Sequence, residues 1–137
     1  MTDSPPEQPA SPPAGGGGRI LVVDDDDDVR DAVADLLRDE GFIVDTAENG
    51  RVALELLRTR LAALIFLDLE MPEINGDAFI RIAKDDQRLA AIPIVVITAS
   101  RTHSLPTGVR IVHKPCSAEA LLEIAHAHAG APVGAKV

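Results

Sequence analysis

Five polar residues follow or end short apolar segments along this 137-residue chain. They are Asp24 and Asp25 after residues 20–23, Asp68 after 64–67, Thr98 after 94–97, and Lys114 just beyond 109–112. An ionised carboxylate at the end of a buried strand is costly unless a partner or ligand compensates for it. Ligands of open parallel sheets bind at the carboxyl ends of the strands. We therefore expect these side chains to meet in one site, with Asp68 at its centre.

Three carboxylates in one site would repel one another. At about 4 Å and an effective dielectric constant near 20, each pair costs roughly 4 kcal/mol. A divalent cation removes that cost, and a set of oxygen ligands suits Mg²⁺. Thr98 supplies a hydrogen-bond donor and Lys114 a positive charge, which together can stabilise a phosphoryl group in transfer. An Asp carboxylate can itself be the nucleophile and form an aspartyl phosphate.

The elements that must position these residues alternate between strands and helices. Apolar runs predict strands at 20–23, 42–44, 64–68, 94–97 and 109–112, and a 3.6-residue period predicts helices at 28–40, 52–57, 78–83 and 118–129. Asp27 and Asp28 suit the first turn of the first helix, and Gly41 suits its end. The alternation favours an α/β fold, a flavodoxin-like three-layer sandwich with a five-stranded parallel sheet of order 2-1-3-4-5.

The connection between the fourth and fifth strands is too short for a full helix. Residues 99–108 contain Pro106 and Gly108 and show no helical period. An average helix alone needs roughly 11–12 residues. The helix expected at this point of the fold is therefore predicted to be short or missing.

Composition restricts the possible functions. The hydrophobic content of 46% suffices for a core, but aromatic residues make up only 2%. A net charge of −9 with so few aromatics argues against binding nucleic acid or an anionic membrane. A single cysteine, no long apolar segment and no signal-peptide pattern favour a cytoplasmic location.

Domain boundaries follow from the distribution of proline and glycine. Residues 1–18 are rich in both and are predicted to form a disordered tail. Residues 19–130 should form the folded domain, and residues 131–137 a short C-terminal tail. Since neither tail is an effector domain, we expect output through a partner protein.

The combined motifs resemble those of the receiver domains of bacterial two-component response regulators. They are Val22-Val23-Asp24-Asp25, Asp68 with Met71-Pro72 and Gly76, Thr98-Ala99, and Lys114-Pro115. Each motif is weak alone, but four in order at strand ends are specific. The likeness spans about residues 19–130.

The resemblance implies a role for each matching position. Asp68 would accept a phosphoryl group from a phosphohistidine of a sensor histidine kinase or histidine phosphotransfer protein. Asp25 and the backbone carbonyl of Glu70 would bind Mg²⁺ beside Asp68, with Asp24 acting mainly through a water molecule. Thr98 and Lys114 would contact the phosphoryl group, and the small Ala99 would leave it room. A cis bond is expected between Lys114 and Pro115, and Pro72 and Gly76 would shape the loop after Asp68.

Two departures from the family pattern concern signal output. Ile111 stands where the family usually has an aromatic residue that turns inward on activation, and the helix after the fourth strand is reduced. Cys116 also replaces a frequent phenylalanine. We therefore hypothesise that Asp68 is phosphorylated while output does not use the usual switch.

Two alternatives remain open. A receiver-like interaction module that is not phosphorylated would be expected to lose acidic or lysine positions, and this chain has lost none. An aspartate-nucleophile phosphatase is suggested by Asp25-x-Asp27-x-Val29, which resembles the first motif of haloacid-dehalogenase phosphatases. The chain, however, is short, and we expect in it neither a cap domain nor a later paired-Asp metal motif. We expect no enzyme activity beyond self-phosphorylation and dephosphorylation at Asp68.

Overall fold

A computed structural model describes residues 18–68, 76–98, 109–114 and 116–129. The elements in chain order are β1 (Arg19–Val23), α1 (Asp27–Asp39), β2 (Ile43–Ala47), α2 (Gly50–Leu57), β3 (Leu64–Asp68), α3 (Gly76–Asp85), β4 (Ile94–Thr98), β5 (Arg110–His113) and α4 (Ala118–Ala129). All neighbouring strands are parallel, and the sheet order is β2-β1-β3-β4-β5. The predicted architecture and strand order are confirmed.

The sheet separates two aliphatic cores, because successive side chains of each strand point to opposite faces. One face packs against α2 and α3 and contains Leu21, Ile65 and Val96; we call it the α2/α3 core. The other packs against α1 and α4 and contains Phe66 and Val95; we call it the α1/α4 core. All five residues of β3 are buried, as expected for a central parallel strand covered on both faces.

Helix α1 has a defined start and end. Asp26 is its N-cap: the carboxylate accepts the backbone N–H groups of Asp28 and Val29 at 3.0 and 3.2 Å. Gly41 follows its last residues with φ of 106°, a conformation that glycine adopts without steric cost. The Gly41 N–H donates to the Arg38 carbonyl and the Phe42 N–H to the Leu37 carbonyl, the paired bonds of a Schellman motif. The predicted helix end at glycine is confirmed.

Strand β2 extends further than its apolar residues suggest. The sequence predicts a strand at 42–44, but pairing with β1 continues to Ala47 opposite Val23. Asp45, in the middle of this edge strand, accepts hydrogen bonds from Arg19 and Arg60 at 2.9 and 3.1 Å. The negative charge of Asp45 is therefore paired with two arginines, which permits a charged residue within the strand.

The two ends of the described domain meet at the edge of the sheet where β1 begins. The Gly18 N–H donates to the carbonyl of Ala129, the last residue of α4, at 3.1 Å. The Gly18 carbonyl accepts the N–H of Ile43 at 2.9 Å. One backbone residue thus joins the start of β1, the start of β2 and the end of α4.

Several predictions fall on residues outside those described. They are the N-terminal tail at 1–18, apart from Gly18, the C-terminal tail at 131–137, and the short or missing helix at 99–108. Within the described ranges, no helix lies between β4 and β5. Over those same ranges, we find no helix whose length and apolar content would suit a membrane span.

Candidate functional site

The register of the sheet brings three of the predicted site residues, from the ends of two strands, together. Val23 pairs with Leu67, so Asp24 and Asp68 follow neighbouring positions on adjacent strands. Each of Asp24, Asp25 and Asp68 offers a carboxylate oxygen, and these oxygens all lie within 4.8 Å of one another. The predicted acidic cluster is thus present at the carboxyl edge of the sheet.

The three carboxylates differ in their exposure to solvent. Asp24 and Asp68 are 6% and 7% exposed, whereas Asp25 is exposed. Burial raises the pKa of Asp24 above its ordinary value, and the charges of Asp25 and Asp26 act in the same direction. The hydrogen bond from the Asp26 N–H to Asp24 Oδ1, 2.9 Å long, and the Lys114 charge oppose this rise in pKa. The cluster is therefore electrostatically costly without a cation.

Lys114 provides a positive charge at the same edge of the sheet as the acidic cluster. Its Nζ lies 4.0 Å from Asp68 Oδ1, and the Lys114 side chain is 35% exposed. The Lys114 N–H donates to the Thr98 carbonyl at 2.9 Å, which fixes the ends of β4 and β5 together. The predicted Asp68–Lys114 pairing is therefore seen as a long ion pair.

Thr98 lies on the other side of the sheet edge. It is 1% exposed, and the residue before it, Ile97, pairs with Asp68 in the sheet register. Alternation along β4 puts Thr98 on the face of Val96, which belongs to the α2/α3 core, whereas Asp68 follows Phe66 on the α1/α4 face. Thr98 thus lies at the same edge of the sheet as Asp68, but on the opposite face.

Arg30 is a site residue that sequence reasoning missed. Its Nη1 donates to the backbone carbonyl of Asp24 at 3.0 Å, and its Nη2 lies 2.6 Å from Asp27 Oδ1. The Arg30 side chain is only 14% exposed. It holds the segment that carries Asp24 and Asp25 against the start of α1. The one sequence signal was an Asp–Arg pair three residues apart at a helix start, which usually indicates a minor surface contact.

The oxygen donors of Asp24, Asp25 and Asp68 fit a hard divalent cation. Mg²⁺ takes carboxylate oxygens and keeps several waters, and a cation between three carboxylates this close would relieve their repulsion. Gly76 begins α3, in keeping with its predicted place at the end of the loop after Asp68. The predicted roles of Glu70, Met71, Pro72, Ala99 and Pro115 lie outside the described residues.

Curated proteins similar in sequence to this chain include response regulators. The chain is 38% identical over 72 residues to response regulator Rre1 of Synechocystis sp., an alignment that covers 52% of this chain and 31% of that protein. It is 35% identical over 65 residues to the polar-differentiation response regulator DivK of Brucella anthropi, covering 47% and 53%. The chain thus spans between about a third and a half of the length of these relatives.

This chain aligns with nearly the full length of two solved structures that have the same fold. Chemotaxis protein CheY4 of Vibrio cholerae superposes with a TM-score of 0.74 at 25% identity, covering 82% of this chain and 99% of that one. The signal receiver domain of a histidine kinase from Syntrophus aciditrophicus gives 0.77 at 26% identity, covering 88% and 97%. The sequence model of the response regulator receiver domain matches residues 20–126, and the chain belongs to this family.

Proposed function

We propose that this receiver domain is a phosphoacceptor of a two-component or phosphorelay system, with Asp68 as the residue that is phosphorylated. The observation that carries the proposal is the position of Asp68: a buried carboxylate, grouped with Asp24 and Asp25 within 4.8 Å and facing the Lys114 ammonium at 4.0 Å. A nucleophile, a cation site and a charge for the phosphoryl oxygens are thus adjacent.

The reaction follows from the chemistry of a phosphohistidine. A carboxylate oxygen of Asp68 attacks phosphorus, an O–P bond forms, and the P–N bond to the imidazole breaks. The electron pair leaves with the imidazole nitrogen, which takes a proton, and the product is an acyl phosphate on Asp68. Buried Asp68, held at the end of β3, is fixed in position for this attack, which lowers the entropic barrier.

The remaining site residues stabilise charge. Asp24, Asp25 and Asp68 would hold Mg²⁺, which when bound supplies positive charge to the carboxylates and to phosphoryl oxygens. Lys114 contributes a second positive charge beside Asp68, and the Thr98 hydroxyl is a donor at the end of β4. The backbone carbonyl of Glu70 and the small side chain of Ala99 are proposed to complete the site, as the family resemblance implies. The domain has no other catalytic activity in this proposal.

Output is proposed to run through a protein partner without the aromatic switch of the family. Ile111 lies in β5 and is 37% exposed, so this position carries an aliphatic side chain with no hydroxyl or ring to reposition. Phosphorylation adds about −1.5 to −2 charge to an already acidic edge, which changes the surface offered to a partner. The donor is proposed to be a sensor histidine kinase or a histidine phosphotransfer protein.

The test is intact mass after incubation with phosphoramidate, a small donor that carries a P–N bond. We expect one phosphoryl adduct that requires Mg²⁺ and is absent in Asp68→Asn. Asp28→Asn is the matched control, because Asp28 is exposed in the first turn of α1 and outside the acidic cluster. An adduct that persists in Asp68→Asn would refute the assignment.

Two other functions predict different results. No adduct on folded protein, with either phosphoramidate or a kinase, would favour an interaction module that is not phosphorylated. Turnover of a phosphomonoester would favour the phosphatase. The phosphatase motif would use Asp27 beside the nucleophile Asp25, but the Asp27 side chain is 77% exposed and paired with Arg30, which speaks against it.

A further inference from the structure

A cavity adjoins the acidic cluster on the α1/α4 side of the sheet. Its volume is about 510 Å³, within the roughly 300–1,000 Å³ of small-molecule sites. Most of the described residues that line it are apolar, among them Val33, Phe66, Leu121 and the side chain of Cys116. The chain has only three phenylalanines and no tryptophan or tyrosine, and the described wall of the cavity is accordingly mostly aliphatic.

Charged groups occupy one end of the cavity. Asp24, Asp68 and Lys114 also line it. Phe66 and Asp68 are two residues apart on the same face of β3, so the apolar wall and the carboxylate adjoin within about 7 Å. Two carboxylates and one ammonium line this end of the cavity, and Asp25 lies within 4.8 Å of both carboxylates, so the end carries a net negative charge.

We infer that this cavity binds a small amphiphilic cation, a compact apolar body with a primary ammonium group. The body lies among Phe66, Leu121 and Cys116, and the ammonium lies at Asp24 and Asp68. The negative end selects a cation over a neutral or anionic head, because only a cationic head adds Coulomb attraction to its hydrogen bonds with the carboxylates. The apolar wall adds affinity by burial, which inorganic cations do not gain.

Binding at this position has a consequence for the metal. The ammonium and Mg²⁺ would use the same carboxylates, so the two compete. The cation would then oppose phosphorylation of Asp68, a consequence that rests on the function proposed above. Binding of the amphiphilic cation does not depend on that function, and it is measured on protein that has never been phosphorylated.

The test is calorimetric titration of the metal-free protein with phenethylamine, phenethyl alcohol and phenylpropionate. These probes share a ring and differ in the charge of the head. We expect the amine to bind about tenfold more tightly than the alcohol, and the acid more weakly than either. Mg²⁺ should weaken the binding of the amine and leave that of the alcohol nearly unchanged.

Substitution of a residue in the cavity wall tests where the ligand binds. Cys116→Phe fills the cavity and should weaken amine binding by about tenfold, with Cys116→Leu between it and the wild type. Ile82→Phe is the control, because Ile82 is 43% exposed on α3, on the other side of the sheet. If Cys116→Phe does not fold, Cys116→Leu takes its place in the titration. In wild type, the amine should also slow alkylation of Cys116, the single cysteine of the chain, by iodoacetamide.

Three results would overturn the inference. They are binding of the alcohol as tight as that of the amine, equal weakening by Ile82→Phe and Cys116→Phe, and no binding of any probe. A site that binds the amine but shows no adduct at Asp68 would instead count against the proposed function alone.

Discussion

Replacement of Asp24 by asparagine should stabilise the protein in the absence of metal, although it removes a site residue. The asparagine side chain would retain an Oδ1 atom, which can still accept the Asp26 N–H that is bonded to Asp24 at 2.9 Å. The substitution would remove the charge of Asp24, which is 6% exposed and lies within 4.8 Å of two other carboxylates. The variant thus isolates the electrostatic cost of the cluster.

The size of the effect follows from these distances. At 4.8 Å and an effective dielectric constant near 20, each carboxylate pair costs about 3.5 kcal/mol. Attraction to Lys114 offsets much of the repulsion between Asp24 and Asp68. Solvent around the exposed Asp25 screens its repulsion of Asp24. We therefore expect a net gain of about 1–2 kcal/mol in the free energy of unfolding, or roughly 4–10 °C in Tm.

The effect should depend on pH and on metal. Burial raises the pKa of Asp24 in the folded state above 3.8, so wild type loses stability as pH rises through that folded-state pKa. The advantage of Asp24→Asn should thus be full at neutral pH and vanish below about pH 3.8. Mg²⁺ at a hundred times its Kd should stabilise wild type by about 2.7 kcal/mol and reverse the order.

Urea unfolding followed by circular dichroism measures these differences, with EDTA or Mg²⁺ in the buffer. Asp28→Asn is the control: it lies in the same acidic run but outside the cluster, and should lose up to about 1 kcal/mol of helix-dipole interaction. If Asp24→Asn is less stable than wild type in EDTA at neutral pH, the reasoning about a repulsive cluster is wrong.

Three further predictions concern the surroundings of the site. Arg30→Met should weaken Mg²⁺ binding about tenfold, with Arg30→Lys intermediate, because the guanidinium fixes the Asp24 carbonyl; equal affinities by calorimetry would contradict a positioning role. Lys114→Gln should tighten Mg²⁺ binding several-fold and lower metal-free stability by about 1 kcal/mol, since it removes only the cation 4.0 Å from Asp68; weaker Mg²⁺ binding would count against this. Asn49→Ala should lower the free energy of unfolding by about 1 kcal/mol in urea, because buried Asn49 caps α2 through the Val52 N–H at 2.9 Å, while Mg²⁺ binding stays unchanged.

The alternation of strands and helices could be predicted because apolar periodicity reports directly on burial. Helix α4 begins and ends at the predicted Ala118 and Ala129, and β3 covers the predicted residues 64–68. Strand β2 was predicted too short, since its last residues are held by pairing with β1 and by the arginines around Asp45. Such pairing is a property of the folded sheet and leaves no local signal.

The acidic cluster could be predicted because it depends on strand ends, which parallel register brings together. The role of Arg30 could not be predicted, because it depends on a hydrogen bond to a backbone carbonyl. Every residue type has the same carbonyl, so the sequence carries no signal of this contact. Asn49 was missed although an asparagine before Gly50 suits an N-cap. Asp26, to which the sequence analysis assigned no role, is the N-cap of α1.

The backbone hydrogen bond between Gly18 and Ala129 places the first and last described residues of the domain side by side. The two positions touch at the edge of the sheet where β1 starts, whereas Asp24, Asp68 and Lys114 lie at the edge where the strands finish. A reporter fused at either position would therefore emerge on the side remote from the acidic cluster. The same adjacency suits circular permutation: a short linker could join Ala129 to Gly18, with new termini opened at an exposed turn such as residues 58–60.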